Sequence, residues 1–260
     1  MIKPKKSLGQ NFLIDKNIIN KIIEVTDIKN KTILEVGPGT GNLTTFLLKK
    51  NPKKVFVIEK DKELVILLKK QFNNQISIIN DDILNFNENS LCEDQVLVFG
   101  NLPYNISTEI LSKWIIGLKD NFWFECLILM FQKEVADRII AKVNTNKYGR
   151  LTILANWKFN VKKICDVSPN SFFPKPKVQS SVLEFLPKKK KFFIKDPKNI
   201  GKVTNVFFSQ RRKMIKKPIN IFFKKNFNYS KLQINPFDRP QNISIEKYFE
   251  ITKEFESSLS

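Results

Sequence analysis

Glu35-Val36-Gly37-Pro38-Gly39-Thr40-Gly41 decides the fold. Just upstream, Thr32 to Val36 is a short run of β-favouring residues that stops at the glycines. Just downstream, Leu43 to Lys50 carries apolar residues at helical spacing. Strand, tight glycine turn and helix make the opening half of a βαβ unit. Glycines in such a turn let the backbone bend sharply and come close to a ligand. A dinucleotide fingerprint would place its third glycine at position 42, which is Asn42. A phosphate-binding P-loop would need Gly-Lys-Ser/Thr, which is absent.

The same alternation spreads outward. Ile18 to Val25 predicts a helix ahead of the motif. Behind it, Val55 to Ile58 predicts a strand ending on Glu59, and Asp61 to Phe72 a helix. Ile76 to Ile79 is a strand ending near Asp81 and Asp82. Gln95 to Phe99 is a strand ending on Gly100-Asn101. Thr108 to Leu118 reads as a helix, Glu125 to Met130 as a strand and Lys133 to Lys142 as a helix. Alternating strands and helices imply parallel strands joined by crossovers: an α/β fold with a Rossmann-like, mostly parallel sheet. Val178 to Phe185 alternates less cleanly and suggests a final strand. Pro187 to Lys191 reads as a linker, and Ile200 to Phe208 and Ile243 to Phe255 as helices. The expected organisation is a ligand-binding domain over 1–187 and a small helical domain over 188–260.

Net charge is +20 over 260 residues, which favours a polyanionic partner. The last 74 residues hold 18 Lys and Arg against 6 Asp and Glu, more than half of the excess. A uniform compositional drift does not predict that clustering. There is no histidine, which removes Ser-His-Asp and Cys-His catalysis and every His-based metal site; no metal is expected. Cys92, Cys126 and Cys165 form no C-x-x-C pair and read as buried free thiols. No apolar stretch follows the basic Met1 to Lys6, so no secretory signal is expected. The most apolar run, Phe122 to Phe131, is too short to span a bilayer and reads as a buried strand.

In open parallel sheets, ligands bind beyond the carboxyl ends of the strands. Gly37, Glu59, Asp82 and Asn101 all fall there. The G-x-G-x-G spacing behind an acidic residue resembles the first motif of class I S-adenosylmethionine methyltransferases. Glu59 then suits the two ribose hydroxyls, with a helix N-terminal charge as the alternative. Asp82 suits the amine of the cofactor's adenine; Asp81 is its rival, and a helix N-cap is the alternative for either.

Asn101-Leu102-Pro103-Tyr104 ends the strand that starts at Gln95. It has the chemistry of a clamp for an adenine. The N6 amine is a poor nucleophile because its lone pair is delocalised into the ring. Acceptors aimed at its two N–H bonds draw the nitrogen toward a tetrahedral shape and free that pair. The Asn101 side-chain oxygen and the Leu102 carbonyl are candidate acceptors. Pro103 biases Leu102 to an extended conformation, and Tyr104 offers a face for a flipped base to stack on. No strong base is needed, which fits a chain without histidine; positioning and electrostatics carry the step.

With these motifs in place, the chain resembles the bacterial small-subunit rRNA adenine N6,N6-dimethyltransferase family (KsgA/RsmA) over nearly its whole length. Lys6 to Leu13 is similar to the family's N-terminal motif. So are Phe131 to Arg138, Tyr148 to Leu151, Phe172 to Val178 and Phe208 to Lys213 to other family segments. Leu102 and the Gln132-Lys133-Glu134-Val135-Ala136 run set it apart from the large-subunit methyltransferases of macrolide resistance. The resemblance implies that Asn11 and Leu13 contact S-adenosylmethionine, together with Gly37, Glu59, Asp82 and Asn101. It implies two adjacent adenosines near the 3′ end of small-subunit rRNA, each dimethylated during subunit maturation. The implied setting is a cytoplasmic monomer acting on a nearly assembled pre-30S particle, with no membrane partner.

The chain holds forty lysines and five arginines: Arg138, Arg150, Arg211, Arg212 and Arg239. A planar fork suits phosphate or carboxylate. Arg211 and Arg212, with Lys213 beside them, are the expected RNA contacts. Arg138 and Arg239 stay open between RNA and internal ion pairs. Phe172 and Phe173 stay open between the target pocket and the core.

Overall fold

A computed structural model describes residues 3–91, 95–118, 122–189, 192–223 and 227–259. Cys92 and the end of the expected linker at 190–191 lie outside them. The described chain forms two compact units. The first comprises 1–113, 118–136 and 162–187; the second comprises 114–117, 137–161 and 188–260. The division therefore differs from a single cut at 187/188. Residues 137–161 group with the second unit because the helix they contain packs on the later helices.

The first unit carries a twisted sheet. Its strands are β2 (Thr32–Val36), β3 (Lys54–Ile58), β4 (Ser77–Ile79), β5 (Val96–Asn101), β6 (Phe124–Gln132), the part of β7 (Phe159–Val167) from residue 162 on, and β9 (Ser180–Pro187). The order is β4-β3-β2-β5-β6-β9-β7. From β4 to β6 every pairing is parallel, and β9 runs antiparallel to β6. β2 is buried along its whole length, as expected for a strand covered on both faces. Its neighbours are β3 on one side and β5 on the other. The order in which the chain adds strands reverses there, the point at which such sheets open a crevice at the strand ends.

Helices follow the strands as the spacing predicts: α1 (Lys16–Ile23), α2 (Asn42–Leu48), α3 (Lys62–Phe72), α4 (Ser107–Gly117) and α5 (Lys133–Ile139), the last ending short of Lys142. Asp15 caps α1 by accepting from the Asn17 and Ile18 N–H groups, and Asp61 caps α3 through the Glu63 N–H. A two-residue strand β1 (Phe12–Leu13) pairs antiparallel with β8 (Phe172–Phe173). That pairing settles the two phenylalanines differently. Phe172 is in the core and Phe173 is exposed. Cys126 is buried and free, its thiol pushed up to about 12 by burial; Cys165 is free and half-buried.

The second unit contains α6 (Arg150–Lys158), α7 (Pro197–Ser209), α8 (Lys216–Phe223) and α9 (Ile245–Ser257). Helix α6 escapes periodicity because Thr152 to Ala155, Trp157 and Lys158 are all buried, which leaves no single apolar stripe. Among the described residues no helix is long and apolar enough to cross a membrane.

Candidate active site

Val36 lies opposite Gly100 across the β2–β5 pairing. The glycine turn and the Asn101 loop therefore emerge side by side. They line one cleft with the N-terminal segment, and every residue expected at a cofactor or target base borders it: Asn11, Leu13, Gly37, Glu59, Asp82 and Asn101, then Leu102, Pro103 and Tyr104.

Gly39 and Gly41 have no room for a side chain. Gly39 has φ +58°, and a Cβ there would sit 2.7 Å from a Phe12 ring carbon. The backbone thus packs directly under β1. Asn42, where a dinucleotide site would want glycine, donates from Nδ2 to the Leu13 carbonyl at 2.8 Å. It fastens the N-terminal strand to the head of α2.

Carboxylates dominate the cleft. Glu59 is buried and accepts from the Asp61 N–H at 2.9 Å and the Gly39 N–H at 3.3 Å. Burial pushes its pKa up in spite of these donors. Each oxygen keeps lone-pair capacity for a ligand hydroxyl. Asp82 is half-buried and accepts from Lys60 Nζ at 2.8 Å and the Leu84 N–H at 3.0 Å. The Lys60 ammonium, first of all, holds its carboxyl below the usual range. Asp81 is exposed and accepts the Asp82 N–H at 2.7 Å. Glu35 is fully buried, accepts from Thr44 Oγ1 at 2.6 Å, and is pushed up to about 8 by burial. Among the described lining residues Lys60 is the sole cation, and Asp82 engages it. Such a lining disfavours a pyrophosphate. It fits S-adenosylmethionine, a ligand with a cationic centre, ribose hydroxyls and an adenine amine.

The Asn101 loop is held from three sides. Asn101 Nδ2 donates to the Asn11 carbonyl at 2.8 Å. That fixes which end of the amide is which and leaves Oδ1 as the acceptor. The Leu102 side chain is buried, and the Pro103 carbonyl accepts from the Ile106 and Ser107 N–H groups at the head of α4. Tyr104 is hydrogen-bonded through its hydroxyl to Ser180 Oγ at the start of β9, and burial raises its pKa. Gly9 presses on the same loop, where a Cβ would come within 2.8 Å of Asn105 Oδ1.

Sequence reasoning missed Asn42, Ser180, and the bonds that Lys5 and Gln10 make to Asp61. The Lys6 to Leu13 motif marked the right segment but not its anchors. In the second unit, Arg211 donates to the Asn146 carbonyl and, at 3.4 Å, to Gln241 Oε1. Arg212 and Lys213 are exposed. The three expected RNA contacts thus differ, with Arg211 partly engaged inside its own unit.

The family model described as ribosomal RNA adenine dimethylase matches residues 1–257. The ribosomal RNA small subunit methyltransferase A of Pelagibacter ubique is 58% identical over 256 residues, 98% of either chain. Its counterpart from a Wolbachia of Drosophila simulans is 38% identical, covering 95% of this chain and 92% of that one. Among solved structures, a dimethyladenosine transferase from Plasmodium falciparum superposes with a TM-score of 0.80 at 28% identity, covering 95% of this chain and 98% of that one. The 23S rRNA methyltransferase ErmE shares the fold, with a TM-score of 0.68 at 20% identity over 95% of this chain and 100% of that one.

Proposed function

Since the chain belongs to the ribosomal RNA adenine dimethylase family, we propose that it methylates N6 of two adjacent adenosines near the 3′ end of small-subunit rRNA, twice each. It is an S-adenosylmethionine-dependent methyltransferase acting on adenines of small-subunit rRNA. The nearly assembled pre-30S particle is its proposed substrate, met as a monomer in the cytoplasm.

The fixed Asn101 amide carries this reading most directly. With Nδ2 committed to the Asn11 carbonyl, Oδ1 is the end that can accept from a target amine. The Leu102 carbonyl is the proposed second acceptor. Together they would hold both N–H bonds and expose the nitrogen lone pair. Tyr104, held by Ser180, offers its ring to the flipped base. Burial raises its pKa and Ser180 engages its hydroxyl, which suits the ring to stacking. Gly37, Glu59, Asp82, Asn11 and Leu13, with Asn101 at the clamp, would hold S-adenosylmethionine, which when bound supplies a methyl group activated on a sulfonium. The proton lost from nitrogen needs no dedicated acceptor in the clamp, because the methylated amine is acidic enough to release it to water. Arg212 and Lys213 are the proposed phosphate contacts, with Arg211 through whatever part of its fork the Asn146 and Gln241 bonds leave.

Asn101→Ala tests the clamp. Turnover should fall about 100-fold or more, the range for losing one preorganised polar group. Cofactor affinity, read by calorimetry, should change far less. Unchanged turnover would contradict the assignment.

A further inference from the structure

We infer that Asp61 is a positioning residue for methyl transfer, a latch that holds the N-terminal segment against both ends of the cleft. The inference rests on the methyl-donor reading of that cleft.

Asp61 does three things at once. Its backbone N–H donates to Glu59 Oε1 at 2.9 Å, which fixes the buried carboxylate of the ribose position. Its Oδ1 accepts from the Glu63 N–H at 3.1 Å and so caps α3. Its side chain also accepts from Lys5 Nζ at 2.7 Å and Gln10 Nε2 at 2.8 Å, more than fifty residues away in sequence. Gln10 in turn accepts the Lys5 N–H at 2.7 Å, closing a triangle. Helix capping needs only the first turn of α3. The two long-range donors go beyond what a cap requires.

The consequence reaches the clamp. The next residue after Gln10 is Asn11, whose carbonyl sets the Asn101 amide. Just before it, Gly9 lies against Asn105. Residues 7–13 also wall the cleft. A segment fastened at Asp61 therefore orients Asn101 at one end, while the Asp61 backbone orients Glu59 at the other. The electrostatics agree. Burial alone would raise the Asp61 carboxyl, yet the Lys5 and Gln10 hydrogen bonds leave it lowered; the Lys5 ammonium is raised, first through its bond to Asp61.

Asp61→Ser separates the roles. Serine still caps a helix but is too short to reach Lys5 and Gln10. KM for S-adenosylmethionine should rise roughly tenfold, in line with losing charge-assisted hydrogen bonds. kcat should also fall, and trypsin should cut after Lys6, a site that every variant keeps, faster than in the unaltered chain. The Lys5→Met/Gln10→Leu double variant leaves the α3 cap untouched and should reproduce these changes, while Lys5→Arg should retain the unaltered kinetics. If the double variant keeps normal KM, kcat and trypsin sensitivity, the latch is overturned, whether or not Asp61→Ser folds. If the unaltered chain itself does not bind S-adenosylmethionine by calorimetry, the methyl-donor reading fails instead.

Discussion

Glu35 shows how strongly one buried position is tuned. It is the penultimate residue of β2, just ahead of the glycine turn, fully buried, with Thr44 as its hydrogen-bond partner. Its folded-state pKa of about 8 stands above the ordinary 4.5 because burial disfavours the charge. Between those values the folded chain keeps a proton that the unfolded chain releases. Its contribution to stability is thus fullest below about pH 4.5 and is lost as pH rises through about 8. The loss is on the order of a few kcal/mol for a group this buried. Glu35→Gln keeps the shape and removes the titration. Thermal unfolding without ligand, from pH 5 to pH 8.5, should show a steeper loss for the unaltered chain than for the variant. Parallel curves would contradict the buried acid. At this scale the sequence was legible wherever a residue belonged to a local motif. Glu59, Asp82 and Asn101 were expected at strand ends, and all three line the cleft. Lys5, Gln10 and Ser180 were not, since their partners lie far away in the chain and no local spacing encodes them.

The elements explain why the glycine turn is so constrained. Gly39 supports β1 through the Phe12 ring, and β1 with the residue before it brings Leu13 and Asn11 to the cleft. Gly39→Ala would strain a left-handed residue and push on that ring. It should destabilise the chain by about 1–3 kcal/mol and weaken cofactor binding. Gly117→Ala, at the end of α4 with nothing within 4 Å of the new Cβ, is the matched control and should cost little. Calorimetric titration and thermal unfolding of the two variants decide the point; equal behaviour would contradict the packing argument. Helices with one apolar face, such as α1 and α3, were readable by period. Helix α6 was not, because it is buried nearly all round. Strand β7 was missed as well. Its burial is mixed, without the alternation of a half-buried strand or the continuous run of a covered one.

Across the whole chain, the α/β order and the family motifs agreed from residue 6 to residue 213, and the family match extends over 1–257. Unit boundaries were the least legible feature. Grouping depends on which surfaces pack together, and 137–161 join later helices rather than their sequence neighbours. The clustered positive charge of the last 74 residues lies in the second unit and suits an RNA backbone. The central claim, dimethylation of small-subunit rRNA adenines through the Asn101 clamp, has a direct test. The protein is incubated with methyl-labelled S-adenosylmethionine and small ribosomal subunits that lack the modification, and the rRNA is digested to nucleosides. The expected result is labelled N6,N6-dimethyladenosine from two adjacent sites near the 3′ end, lost with Asn101→Ala; absence of dimethyladenosine with the unaltered protein would contradict it.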